Sequence, residues 1–174
     1  MSFALDSWAV LRLLEGTEPA AGRVEQVLAD SRPVMSWINL GEVFYIVRRD
    51  RGEDEAHEVV RDLRLRLDLD LPSEQRVLTA AAIKAEHPMA YADAFAAATA
   101  AAHDATLLTG DPELLVEGAP WRWEDLRSRG QRYRRVRDAL LEDAYNAAVD
   151  AGDFDDTREW SEQTTAARRR RGRG

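Results

Sequence analysis

Apolar and polar positions along this chain switch between a period of two and a helical period, and the switches mark its elements. Phe3-Ala4-Leu5 is a short apolar run ending at Asp6 and reads as a buried strand. Over Ser7 to Leu14, the spacing of Trp8, Leu11 and Leu14 predicts one apolar helix face. A second helix is expected from Pro19 to Ala29. Val34-Met35-Ser36-Trp37 then reads as a second strand. Asn39 and Glu42 stand at capping-box spacing, so Asn39 is expected to cap a helix that carries Glu42, Val43, Tyr45 and Ile46 and ends near Arg49. His57 to Leu65 predicts another helix. Leu67 to Leu71 alternates strictly, as a strand with one wet face does. Ser73 to Glu86 and the alanine-rich Ala92 to His103 predict two more helices. Ala105 to Thr109 is an apolar strand running into the turn Gly110-Asp111-Pro112, and Trp121 to Leu126 forms a last short strand.

Strands that alternate with helices imply an α/β fold, with a parallel sheet covered on both faces. The pattern holds over residues 1–126 and stops at about Arg127. Residues 127–174 read as a C-terminal extension, partly helical over Val136 to Val149. Its arginine-rich end, Arg168 to Arg171 with Arg173, is expected to be solvated and disordered.

Composition narrows the chemistry. With 45% hydrophobic residues in 174, the chain can bury a sizeable core. It has no cysteine, which excludes disulfide scaffolds, thiolate metal sites and cysteine nucleophiles. The longest uncharged apolar run, Ala94 to Ala102, is too short for a bilayer, and the N-terminus lacks the basic start of a secretory signal. A cytoplasmic location without membrane contact is therefore expected. Charge is uneven. Residues 1–126 hold 12 basic and 23 acidic side chains, whereas residues 127–174 hold 12 basic and 9 acidic. Such an acidic body argues against phosphate binding by a basic face, but leaves open nucleic-acid chemistry through metal ions. His57, His87 and His103 lack metal-ligand spacing and read as surface or cap residues.

Four acids carry the candidate chemistry. Asp6 follows the first strand, Glu42 is expected in the first turn of the helix after the second, Asp93 opens the alanine-rich helix, and Asp111 follows the fourth strand. Taken singly, each reads as a cap or turn residue. Together they fall where strand C-termini and helix starts meet along one edge of a parallel sheet, which is where such folds bind ligands. Crowded carboxylates repel, and a hard divalent cation relieves the repulsion. All-oxygen ligands point to Mg²⁺ or Mn²⁺, which suit phosphodiester hydrolysis.

The segments Leu5-Asp6-Ser7, Asn39-Leu40-Gly41-Glu42-Val43, Tyr91-Ala92-Asp93-Ala94 and Leu108-Thr109-Gly110-Asp111 resemble the four acidic motifs of PIN domains, the VapC-type toxins of toxin–antitoxin pairs in particular. The resemblance spans about residues 1–126. It implies a PIN-like three-layer α/β/α fold and a Mg²⁺-dependent endoribonuclease, with an RNA substrate and inhibition by a VapB-like antitoxin. Asp6 and Asp93 match the family's principal metal ligands, and Glu42 and Asp111 its remaining acids. Thr109 matches a small hydroxyl that orients water or phosphate. A homodimer is implied as well, with Trp8, Phe44 and Tyr45 as contact residues if they lie outside the core. The alternative is a catalytically silent PIN-fold binding or regulatory module.

Overall fold

The structure is a computed structural model and describes residues 2–128 and Gly130. The expected helix over Val136 to Val149 and the arginine-rich end lie outside the described residues. Met1–Ser128 form one compact unit.

In chain order the elements are β1 (Phe3–Leu5), α1 (Ser7–Glu15), α2 (Ala20–Asp30), β2 (Val34–Ser36), α3 (Trp37–Arg51), α4 (Glu53–Arg66), β3 (Asp68–Asp70), α5 (Glu74–Glu86), α6 (Tyr91–Ala102), β4 (Thr106–Thr109) and β5 (Arg122–Asp125). The strands pair in the order β3-β2-β1-β4-β5, all parallel. The alternation of strands and helices in the sequence therefore produces the expected sheet.

Alternation within each strand divides the core into two halves. Ala4, Val34 and Leu107 face α5 and α6 and join Ala80, Ile83, Phe95 and Trp121. Their neighbours Leu5, Met35 and Leu108 face α1 to α4 and join Val10, Val24, Leu40, Val43 and Leu63. The result is a three-layer α/β/α arrangement. Alanines at 94, 96, 97, 98 and 100 are buried, and their small side chains let α6 lie close to β1, β2 and β4. The edge strand β3 begins with exposed Asp68, a charge that discourages pairing with another chain.

The expectations for the start of α3 are corrected. Trp37 is the first residue of α3, not the last of β2, because the Ser36 hydroxyl already caps the helix by accepting from the Ile38 N–H at 3.2 Å. Asn39 is therefore not the cap and lies inside the first turn. Glu42 accordingly falls in the second turn of α3. Of the three residues offered for a dimer contact, Trp8 and Phe44 pack against the core, and only Tyr45 is exposed.

The order β3-β2-β1-β4-β5 reverses between β1 and β4. In an open parallel sheet, the crevice at such a switch point is the ligand-binding position. Gly110 follows β4 there, under the Trp8 ring, and a Cβ at this position would come within 2.3 Å of Trp8 Cη2. Gly110→Ala is expected to lower stability by about 1–3 kcal/mol through overpacking. In a Trp8→Leu background the same substitution should cost less. Equal losses in both backgrounds, measured by urea melts, would contradict the contact.

Candidate functional site

β1 ends at the switch point, and the next residue, Asp6, adopts an extended backbone conformation and caps α1. Its Oδ1 accepts from the Ala9 N–H at 2.7 Å. Its Oδ2 accepts from the hydroxyl of Thr109, the last residue of β4. The same hydroxyl accepts from the Asp111 N–H at 2.9 Å. Thr109 thus links the ends of the two central strands through their acids. Asp6 is only 1% exposed. Burial pushes its carboxyl up to about 7, against the two bonds that favour its charged form, and nearby Asp93 and Asp111 add to the rise.

Asp93 reaches the same place from the first turn of α6. Its carboxyl is also pushed up to about 7, first by burial and then by the charges of Asp111, Glu42 and Glu113. One carboxylate oxygen each from Asp93, Asp111 and Glu113 lie within 4.8 Å of one another. Asp111 Oδ1 accepts from the Glu113 N–H at 2.9 Å, and Glu113 Oε2 accepts from the Ala90 N–H at 2.9 Å. The loop after β4 is thereby tied to the residue that precedes α6.

The four acids singled out from the sequence therefore come into one electrostatic neighbourhood. They are not equivalent within it. Asp93 and Asp111 belong to the tight group, whereas Asp6 and Glu42 lie outside it but act on the charge of Asp93 or are acted on by it. Glu113 is the acid that the sequence reading missed. Its signal was an acid two residues beyond Asp111 across Pro112, where a turn can bring both carboxylates to one side. Thr109, expected near the site, lies inside it and touches two of its residues. The three histidines lie outside the group: His57 is exposed on α4, His87 packs in a T-shaped pair with Trp121, and His103 follows α6 and meets Asp70 at 3.2 Å.

All donors in the tight group are carboxylate oxygens, which match a hard divalent cation and not a soft one. Burial is the first cause of the raised carboxyls of Asp6 and Asp93, and the neighbouring carboxylates, which repel one another, add to it.

Residues 3–116 match the PIN domain family. Among solved structures, the chain is similar to VapBC2 from Rickettsia felis bound to a promoter DNA fragment. That likeness has 17% identity and a TM-score of 0.60, and covers 73% of this chain and 100% of the other. It is similar to VapBC-1 from nontypeable Haemophilus influenzae at 24% identity and a TM-score of 0.57, covering 72% and 98%. It is also similar to VapC20 from Mycobacterium tuberculosis, a sarcin-ricin loop cleaving toxin, at 16% identity and a TM-score of 0.52, covering 61% and 87%. No curated protein matches the chain.

The raised carboxyls set a pH dependence for the metal-free protein. An acid whose folded value lies above its unfolded one favours folding when protonated, so its contribution is complete below 3.8 and is lost as pH rises through about 7. Melts in EDTA should therefore show stability falling across that window. Asp93→Asn should flatten the fall and raise stability at pH 8 by about 1–2 kcal/mol, after allowance for its partial exposure. A difference between the two proteins that does not change with pH would contradict this electrostatic account.

Proposed function

The chain belongs to the PIN domain family, and from that premise we propose that it is a metal-dependent endoribonuclease of the VapC toxin type. The observation that carries this reading is the group of Asp93, Asp111 and Glu113 oxygens within 4.8 Å of one another at the sheet's switch point, backed by buried Asp6. The family supplies the nuclease class. Neighbours that are VapBC complexes, and one that cleaves the sarcin-ricin loop, support RNA as substrate and a VapB-like antitoxin as inhibitor. The proposal includes Mg²⁺, with Mn²⁺ as a substitute, a homodimer and a cytoplasmic location. Among the described residues, no helix is long and apolar enough to cross a membrane.

Asp93, Asp111 and Glu113 would hold the cation, with Asp6 and Glu42 completing the acidic set. A divalent cation bound there supplies charge neutralisation and activation of water for attack on a phosphodiester. The protein's own residues do the rest. Thr109 holds Asp6 through Oδ2, and the Ala9 N–H holds it through Oδ1, so the carboxylate is oriented before any ligand arrives. The Ala90 N–H fixes Glu113, and the Glu113 N–H fixes Asp111. Near neutral pH, Asp6 and Asp93 each carry a proton part of the time and must release it to serve as ligands. Metal affinity should therefore rise with pH up to about 8. The substrate is single-stranded or loop RNA, whose flexible backbone can bring a phosphodiester up to half-buried Asp93 and Asp111 more readily than a stiff duplex.

The test is cleavage of single-stranded RNA by purified protein in Mg²⁺ or Mn²⁺. We expect EDTA to abolish cleavage, and Asp93→Asn to reduce it by about 100-fold or more, the scale on which single catalytic groups act. Glu113→Gln should raise the metal concentration needed for half-maximal rate. Cleavage that survives both EDTA and Asp93→Asn would overturn the metal reading. Full Asp93-dependent activity with unchanged metal demand in Glu113→Gln would remove Glu113 from the ligand set.

A further inference from the structure

Asn39 is fully buried in the first turn of α3. Its amide nitrogen donates to two acceptors, the Ala92 carbonyl at 3.0 Å and the Ser7 hydroxyl at 3.3 Å. The Ser7 hydroxyl in turn donates to the Asn39 carbonyl at 3.1 Å. Ser7 is the residue after Asp6, and Ala92 the residue before Asp93. One side chain thus ties the first turns of α1, α3 and α6 together, beside two of the site's acids.

A second observation separates this from ordinary core packing. The side-chain oxygen of Asn39 is buried and has no hydrogen-bond partner among the described residues. A stranded acceptor is a cost to folding, and an aliphatic side chain of similar size would fill the space without it. Stability alone therefore does not favour an amide here. What the amide provides is its pair of donors, applied to peptides next to carboxylates that repel each other. Without such a tie, the start of α6 could move away from α1 and relieve the repulsion at the expense of the site's geometry.

We propose that Asn39 is a positioning residue that clamps the start of α6 to the start of α1, and so holds Asp93 at its distance from Asp6. Asn39 acts through those neighbours and is not itself a ligand. This inference rests on the reading of the acids as a metal site, and the experiment below distinguishes the two.

The experiment compares the full chain with Asn39→Leu, Ser7→Ala, Asp93→Asn and the double variant Asn39→Leu/Asp93→Asn. Mn²⁺ binding is followed by calorimetry, metal-free stability by melting, and local opening by hydrogen exchange. Asn39→Leu should weaken Mn²⁺ binding about tenfold or more while the metal-free melting temperature stays level or rises. Exchange should quicken at the start of α6 and not in its middle. In the Asp93→Asn background, Asn39→Leu should have little further effect on residual binding, because both act through one group. Should Asn39→Leu fail to fold, Ser7→Ala, which removes one arm of the clamp, should give a weakening of about threefold. Unchanged Mn²⁺ affinity in the folded variants, or an equal loss with and without Asp93, would overturn the clamp. A parent chain that binds no Mn²⁺ would instead sink the metal reading. Exchange at the start of α6 would then decide the clamp alone, with no change in Asn39→Leu or Ser7→Ala overturning it.

Discussion

Burying Asp6 at 1% exposure strips a carboxylate of its water, and the surrounding structure is arranged to supply replacement donors. One comes from the open N-terminus of α1, where backbone N–H groups lack partners within the helix. The other comes from Thr109, at the end of the neighbouring strand. That second bond joins β1 to β4 beyond their backbone ladder, where the strand order reverses. Because the Thr109 hydroxyl also accepts from Asp111, the loop after β4 is set by the same contact. Asp6, Thr109 and Asp111 are therefore one unit, although more than a hundred residues separate the first two.

The approach of Asp93 to this unit depends on a different property of the sequence. Helix α6 owes its closeness to the sheet to a run of alanines, which offer little to grip but allow the backbone near. Close approach buries Asp93 and carries it into the field of Asp111, Glu42 and Glu113, and burial first, with those charges after it, pushes its carboxyl up to about 7. The fold resists the repulsion through fixed contacts on either side: the Ala90 N–H on Glu113, and the Asn39 amide on the Ala92 carbonyl. Hydrophobic packing brings the acids together, and a small polar network keeps them there.

Stability elsewhere rests on other devices. Arg23 pairs with Glu124 through two bonds and fastens α2 to the edge strand β5. Asp70, at the opposite edge, gathers Arg76, Thr99 and His103, and so fastens β3 to α5 and α6. These pairs brace the sheet edges and leave the switch point to the acids.

Hydrophobic periodicity alone determined the number, kind and order of the elements from β1 to β5, because burial of alternate residues in strands and of one face in helices leaves a direct trace in the chain. It also marked Asp6, Asp93 and Asp111, since each stands at the end of a strand or the start of a helix, and the topology of a parallel sheet brings such ends to one edge. Boundaries were less legible where two cap-forming residues compete: Ser36 and Asn39 are both good caps, and in the fold Ser36 ends its pairing with β3 and caps α3 at once through its hydroxyl. That boundary moved Asn39 from a cap to a buried link and Glu42 from the first turn to the second. Glu113 was hidden for a related reason, because an exposed acid in a turn has no periodic signature, and its place beside Asp93 and Asp111 depends on the bond to Ala90 from another element. The chain's pattern thus determined which ends of which elements carry acids. The distances among those acids, and the polar contacts that maintain them, were decided only in three dimensions, since repulsion and hydrogen bonding between distant segments leave no mark on local sequence.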